Sequence, residues 1–173
     1  MEGYFEAIRD AMTDLAKDPR TIFVGQAVAY PGTAMSRTLE FVPESQKLEF
    51  PVAENFQMGF CIGLALQGYL PVCIYPRFNF LLCAIDQLVL HLDKFPAMGA
   101  GVPKVIIRTA VAHDQPMNPG PQHLGDFTEA VSEMLTTVHV RRVRSPNGAI
   151  RIYKEAVQET ERSTLAVEML SHY

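Results

Sequence analysis

The chain has no tryptophan, no CxxC pair, no long apolar run and no large excess of either charge. Each absence narrows what it can be. Without tryptophan, any ring that stacks on a ligand must belong to Phe, Tyr or His. The three cysteines, Cys61, Cys73 and Cys83, sit in apolar segments, so they read as reduced core residues of a cytosolic protein. A net charge of -4 argues against a general nucleic-acid or acidic-membrane surface. Arg141, Arg142 and Arg144 do cluster, but without a wider basic footprint they read as a solvated strand edge or a subunit contact. The apolar stretch Met58 to Leu66 is too short and too rich in glycine to span a bilayer. The opening Met1-Glu2-Gly3-Tyr4-Phe5-Glu6 has no basic region leading into an apolar run, so it does not read as a signal peptide. There is no glycine-rich phosphate loop, internal repeat, low-complexity segment or linker. What remains is a soluble, cytoplasmic chain of 173 residues, a length that suits one domain with a real core.

Within that length, short apolar runs alternate with helical patterns. Phe5, Ile8, Met12 and Leu15 recur at helical spacing within 3–17, and Asp18-Pro19 ends that helix. Thr21 to Gly25 reads as a buried strand, and 26–45 as mostly loop. Leu48 to Phe50 is a short strand leading to Glu54. Glu54 to Gln67 is a helix apolar on most faces and therefore expected to be buried; Gly59 and Gly63 would admit a close neighbour, and Gly68 would cap it. Pro71 to Tyr75 is the next strand, Leu81 to Phe95 a helix, and Lys104 to Arg108 a strand. A loop over 109–122 follows. Asp126 to Leu135 is helical, Thr137 to Val143 a strand, Asn147 to Thr160 a helix and Thr164 to Glu168 a strand. Continuous apolar strand cores with intervening helices predict an α/β fold: one three-layer αβα domain over 1–173, with a mostly parallel sheet flanked by helices on both faces. In such folds ligands bind outside the carboxyl ends of the strands.

Three segments fall at those ends. Glu54 starts its helix beside an apolar wall, where a carboxyl group can bond a ligand nitrogen. The plainer alternative is a first-turn acid favoured by the helix dipole. Phe78 and Phe80, two apart after a strand, can form a flat wall for a heteroaromatic ring, with stacking worth on the order of 1 kcal/mol; otherwise they are core rings at a strand-to-helix corner. His123 ends the Asn118-Pro119-Gly120-Pro121-Gln122 loop, where a histidine can relay protons near neutral pH or simply be inert. His113, in the same loop, is the weaker histidine candidate. His91, His139 and His172 read as structural or exposed.

Eight pieces then fall in register with a known pattern: Val24-Gly25, Ala53-Glu54, Gly59 to Gly68, Leu70-Pro71-Val72, Phe78-Asn79-Phe80, Ala84-Ile85-Asp86-Gln87, Val102-Pro103-Lys104-Val105 and Gln122-His123. Across almost the whole chain the sequence resembles the aminopyrimidine-binding (Pyr) domain of thiamine-diphosphate enzymes, in the transketolase and 2-oxoacid dehydrogenase E1 beta group. The resemblance implies that Glu54 is the activating glutamate, bonded to N1′ of the cofactor aminopyrimidine. It implies that Phe80 packs on that ring, with Phe78 beside it, and that His123 faces the substrate. The cofactor then carries the difficult chemistry.

The pattern is also broken. After Val24-Gly25 the family usually has an acidic pair; here Gln26-Ala27 follows. A glutamine usual in the aromatic helix is Cys83 here, so polar contacts to the cofactor are expected to differ. The chain stops at Tyr173, where related proteins begin a C-terminal domain, so that domain is expected to be missing. The Gly-Asp-Gly motif that holds Mg²⁺ and the diphosphate is absent, so no metal ligands are assigned to this chain. The resemblance therefore implies half a site: a catalytic subunit completed by a separate diphosphate-binding (PP) chain carrying Gly-Asp-Gly, with Mg²⁺ on that partner. A homodimer, or a heterotetramer with the PP chain, is expected. The implied reaction is 2-oxo acid decarboxylation or transfer of the resulting acyl or two-carbon unit. The close rival is ketol transfer of the transketolase kind, in which Arg77 and His113 would meet a phosphate or hydroxyls. The second alternative is a non-catalytic structural or regulatory partner of the same fold.

Overall fold

Six short strands pair into one sheet in the order β2-β1-β3-β4-β6-β5, with every neighbour parallel. In this computed structural model, which describes residues 2–99, 101–114 and 118–173, they are β1 Thr21–Gly25, β2 Lys47–Glu49, β3 Leu70–Tyr75, β4 Ile106–Val111, β5 His139–Arg142 and β6 Thr164–Met169. The helices are α1 Tyr4–Leu15, α2 Glu54–Leu66, α3 Phe78–Leu81, α4 Thr128–Met134 and α5 Pro146–Gln158. The central strands β3 and β4 are buried along their whole length, β3 as an apolar run and β4 as an apolar run broken by the buried Arg108 and Thr109.

Side chains alternate across this sheet and build two cores. Phe23, Val72, Ile74, Ile106 and Ala166 face α1 and α5. Val24, Cys73, Tyr75, Ile107, Leu165 and Val167 face the α2, α3 and α4 layer. The expected three-layer αβα architecture is therefore the one observed. At α5 the sequence signal is local: Ser145 Oγ accepts from Gly148 N at 3.1 Å and Pro146 occupies the first turn, a cap worth about 1 kcal/mol.

Three expectations need correction. The helix expected over Leu81 to Phe95 starts earlier, at Phe78, and is irregular. Four residues of α3 pass into a 3₁₀ turn at Leu82–Ala84 and then a π-helical stretch at Gln87–Leu92. Apolar residues stand on every side of this segment, so no period in the sequence sets its pitch. The strand expected over Lys104 to Arg108 runs instead from Ile106 to Val111. Three residues assigned to the following loop thus pair with β6. The 115–117 part of that loop lies outside the described residues. Third, α2 is not buried all round: Met58 and Cys61 are in the core, while Phe56 is 62% and Leu66 44% exposed. Its outer face therefore leaves large apolar side chains exposed.

The end of the π-helical stretch is anchored by a buried acid. Asp93 accepts from the backbone N–H groups of Thr136, Thr137 and Val138 and from Lys94 Nζ, at 2.7–3.1 Å. It thereby ties the stretch to the entry of β5. Burial acts to raise its pKa, but the hydrogen bonds from Lys94, Thr137 and Val138 outweigh it and hold the carboxyl well below the usual carboxylate range. A carboxyl depressed in the folded state contributes stability above its unfolded value of 3.8, and that stability is lost as pH falls further. We expect Asp93→Asn to cost about 2 kcal/mol at neutral pH. In urea titrations the variant should also lose less stability than wild type between roughly pH 4 and pH 2; parallel pH profiles would contradict this role.

Candidate functional site

Glu54 reaches its place because the chain leaves β1 toward β2 on one side and returns to β3 on the other. That reversal opens a crevice at the carboxyl ends of β1 and β3, where ligands of open α/β sheets bind. Glu54 begins α2 half-buried at this edge. Gln26 Nε2, just past β1, donates to Glu54 Oε1 at 3.2 Å, and Tyr75 Oη, at the end of β3, donates to the Glu54 carbonyl at 2.9 Å. Burial, and then the neighbouring Cys73 thiol, push the Tyr75 pKa far up, so its hydroxyl stays a neutral donor. One turn along, Gln57 is buried and its Nε2 donates to Ile74 O at 3.0 Å. Asn55 Nδ2 donates to Asp86 Oδ1 at 2.5 Å, a bond that lowers the Asp86 pKa. Hydrogen bonds of this kind contribute about 1 kcal/mol each. Their larger effect is directional: the first turn of α2 is tied to β1, β3 and the aromatic segment at once.

The loop that carries Gln26 is itself clamped. The Glu49 carboxylate, at the end of β2, accepts from Ala27 N, Val28 N and Ala29 N at 2.6, 2.9 and 2.9 Å. Ala27 is held at φ 53°, a left-handed conformation unusual for a residue with a Cβ. Gly25 before it has no space for a side chain, since a Cβ would lie 2.6 Å from Ile74 O.

The other candidates divide. Phe80 and His123 come together, ring centroids 5.4 Å apart and tilted by 50°. His123 Nδ1 and Asn79 Oδ1 are buried with no hydrogen-bond partner among the described residues. Phe78 takes the other course: it is fully buried and packs edge-on against Phe127 at 5.9 Å, as a core ring. Cys83 is exposed, unlike Cys61 and Cys73, which corrects the reading of all three as core thiols. Arg77 and Phe80 share a cleft of about 520 Å³ with Thr33, Arg37, His113 and Tyr173. Glu54 does not line this cleft. His113 is exposed, with Nδ1 3.2 Å from Asp114 Oδ1. Arg37, which stands over the Phe5 ring at 5.1 Å, was not picked out from the sequence because its segment has no period and no motif. The Arg141 and Arg142 cluster is spent locally, on Glu155 at 2.6 Å and on Asp126 and Glu129 at 2.6 and 3.0 Å. Among the described residues, no three His, Cys, Asp or Glu side chains converge as metal ligands, and no helix is long and apolar enough to cross a membrane.

The chain is similar to known proteins in sequence and in fold. The sequence is 33% identical over 106 residues to the mitochondrial pyruvate dehydrogenase E1 component subunit beta of Rattus norvegicus, covering 59% of this chain and 30% of the relative. It is 29% identical over 127 residues to the corresponding subunit of Saccharomyces cerevisiae, covering 71% and 35%. It is 34% identical over 94 residues to the mitochondrial 2-oxoisovalerate dehydrogenase subunit beta of Chaetomium thermophilum, covering 53% and 20%. The matches thus span about a third or less of these relatives' length. A solved structure described as a split gene transketolase, inactive beta4 tetramer, superposes with a TM-score of 0.71 at 17% identity, over 94% of this chain and 50% of that one, which is a likeness of fold. The profile of the family described as "Transketolase, pyrimidine binding domain" matches residues 3–169, the whole sheet and its helices, and the chain belongs to that family.

Proposed function

We propose that this chain is the Pyr subunit of a split thiamine-diphosphate enzyme that acts on a 2-oxo acid, by decarboxylation or by transfer of the acyl or two-carbon unit. The observation that carries the reading is Glu54, a half-buried carboxyl fixed from β1 and β3 at the sheet's reversal point. The residues suit the cofactor's aminopyrimidine end. Glu54 offers an acceptor to a ring nitrogen, Phe80 a ring face, and Asn79 Oδ1 and His123 Nδ1 buried polar atoms still lacking partners. When bound, thiamine diphosphate supplies an electron sink that accepts the pair released from the substrate carbon. Glu54 holds the proton exchanged with N1′, Phe80 orients the ring, and His123 moves or binds protons on the substrate side. Cys83 is exposed beside this segment, and in this reading it would meet the cofactor or the partner chain. The Mg²⁺ and diphosphate ligands belong, in this reading, to a separate PP chain with a Gly-Asp-Gly motif.

The exposed outer face of α2 supports association with another chain, as a homodimer or as a heterotetramer with the PP subunit. Isothermal calorimetry tests the division of the site. The isolated chain should bind thiamine diphosphate weakly even with Mg²⁺, and the two chains together should bind it tightly. Tight Mg²⁺-dependent binding to this chain alone would overturn the split-site reading.

A second reading is ketol transfer. The cleft that joins Arg37, Arg77 and His113 favours it, because two guanidinium groups and an imidazole in one concave site suit a sugar phosphate. Comparing a 2-oxo acid with a ketose phosphate as donor for the reconstituted complex separates the two.

A further inference from the structure

We infer that Gln26 is a positioning residue that makes the two oxygens of Glu54 unequal, holding Oε1 as an acceptor and leaving Oε2 as the oxygen that exchanges a proton with the ligand. The inference rests on the cofactor reading for the identity of the ligand, but not for the pairing itself. Gln26 Nε2 donates to Oε1 at 3.2 Å, and among the described residues no hydrogen bond reaches Oε2. A side-chain amide does not titrate, and its N–H can only donate. With this N–H facing it, Oε1 is an acceptor whether Glu54 is charged or neutral, and the proton of the neutral form goes to Oε2.

The surroundings are built to keep Gln26 in place. On one side Gly25 is pressed against Ile74 O, where not even a methyl group fits. On the other, three consecutive amides of 27–29 converge on the Glu49 carboxylate. The left-handed conformation of Ala27, unfavourable for a residue with a Cβ, is held between these two restraints. The backbone of Glu54 is fixed independently by Tyr75 Oη. The backbone on both sides of the Gln26–Glu54 hydrogen bond is thus held before any ligand arrives.

A carboxylate at position 26 would behave differently. Two acids within hydrogen-bond distance cannot both ionise readily, and they titrate as a pair that shares a proton. The proton that Glu54 exchanges with the ligand would then be held between the two acids. Gln26→Glu tests this with almost no change of shape, and Gln26→Leu removes the donor.

The first measurement needs no cofactor. In the ¹⁵N-labelled isolated chain, one proton of the Gln26 side-chain amide should resonate downfield of the other exposed amides and lose that shift in Glu54→Ala. An amide pair indifferent to Glu54→Ala would overturn the inference. The second uses the complex with the PP chain and follows hydrogen–deuterium exchange at the cofactor C2 carbon against pH. Gln26→Leu should slow exchange by on the order of 10²-fold, the effect of misplacing a reacting group by about an ångström. Gln26→Glu should add a second ionisation to the profile. Thermal melts of both variants check that the fold survives. Wild-type rates and an unchanged profile in both folded variants would reduce Gln26 to a loop residue. An amide that responds to Glu54, in a chain that never supports C2 exchange with any partner, would leave the pairing standing and remove the cofactor reading.

Discussion

Glu54→Gln should slow deprotonation of the cofactor C2 carbon by about 10²–10⁴-fold, the usual cost of losing a positioned acid–base group. The substitution is nearly isosteric and the contacts that place residue 54 survive it. Tyr75 Oη bonds the backbone carbonyl, and Gln57 and Asn55 hold the next residues of α2. The fold and the helix start should be unchanged, since a first-turn acid contributes only about 0.3–1 kcal/mol through the helix dipole. Cofactor affinity should also change little, because in the split-site reading the diphosphate and Mg²⁺ are held by the other chain. What disappears is the group that can take and return a proton at N1′. The measurement is exchange at C2 in the reconstituted complex, wild type against Glu54→Gln, with circular dichroism to confirm folding. Equal rates would mean that Glu54 is only a helix-start acid, and the catalytic assignment would fall with it.

Glu54 and most of the sheet were legible because their signals are local. Thr21 to Gly25 is an unbroken apolar run closed by a glycine, and it forms β1 over those residues. The start of α2 at Glu54 follows from a helix-favouring segment after Pro51 and the turn that precedes it. Phe80 and His123 were found at strand ends and do meet, but the same reasoning gave Phe78 a possible role at the wall. Alternate positions at a strand-to-helix corner point to different places, one into the core and one out, and the sequence does not say which. The residues that were missed act over long separations. Glu49 reads as the middle residue of a short strand until the three amides of 27–29 are seen to converge on it. Gln26 reads only as a departure from an acidic pattern until its amide is seen on Glu54. Arg108 and Glu168 read as polar interruptions at strand ends, because their partnership spans 60 residues of sequence.

Arg108→Met should be the most destabilising single substitution outside the site, costing about 3–5 kcal/mol, as breaking one side of a buried ion pair does. Both side chains are wholly buried in the layer facing α1 and α5. Arg108 Nε and Nη2 meet the two Glu168 oxygens at 2.8 and 3.0 Å in a bidentate fork. Thr38 Oγ1 accepts from the guanidinium at 3.2 Å, and the hydroxyls of Tyr153 and Tyr173 both bond Glu168. Burial, and then the Glu168 charge, push both tyrosine pKa values up, so each hydroxyl remains a neutral donor to that carboxylate. Methionine fills much of the arginine volume yet leaves Glu168 buried without its cationic partner, with only the two tyrosine hydroxyls as donors. At about 2–4 °C per kcal/mol for a domain of this size, the melting temperature should fall by roughly 6–20 °C. The double variant Arg108→Met, Glu168→Leu removes both charges and should recover most of the loss, because replacing a buried pair with apolar groups is often neutral. A double variant as unstable as the single would mean that volume, not charge, sets the cost. The network also bears on the cleft, since Tyr173 lines it from below while bonding Glu168, and Arg37 beside it adjoins Thr38 in the chain.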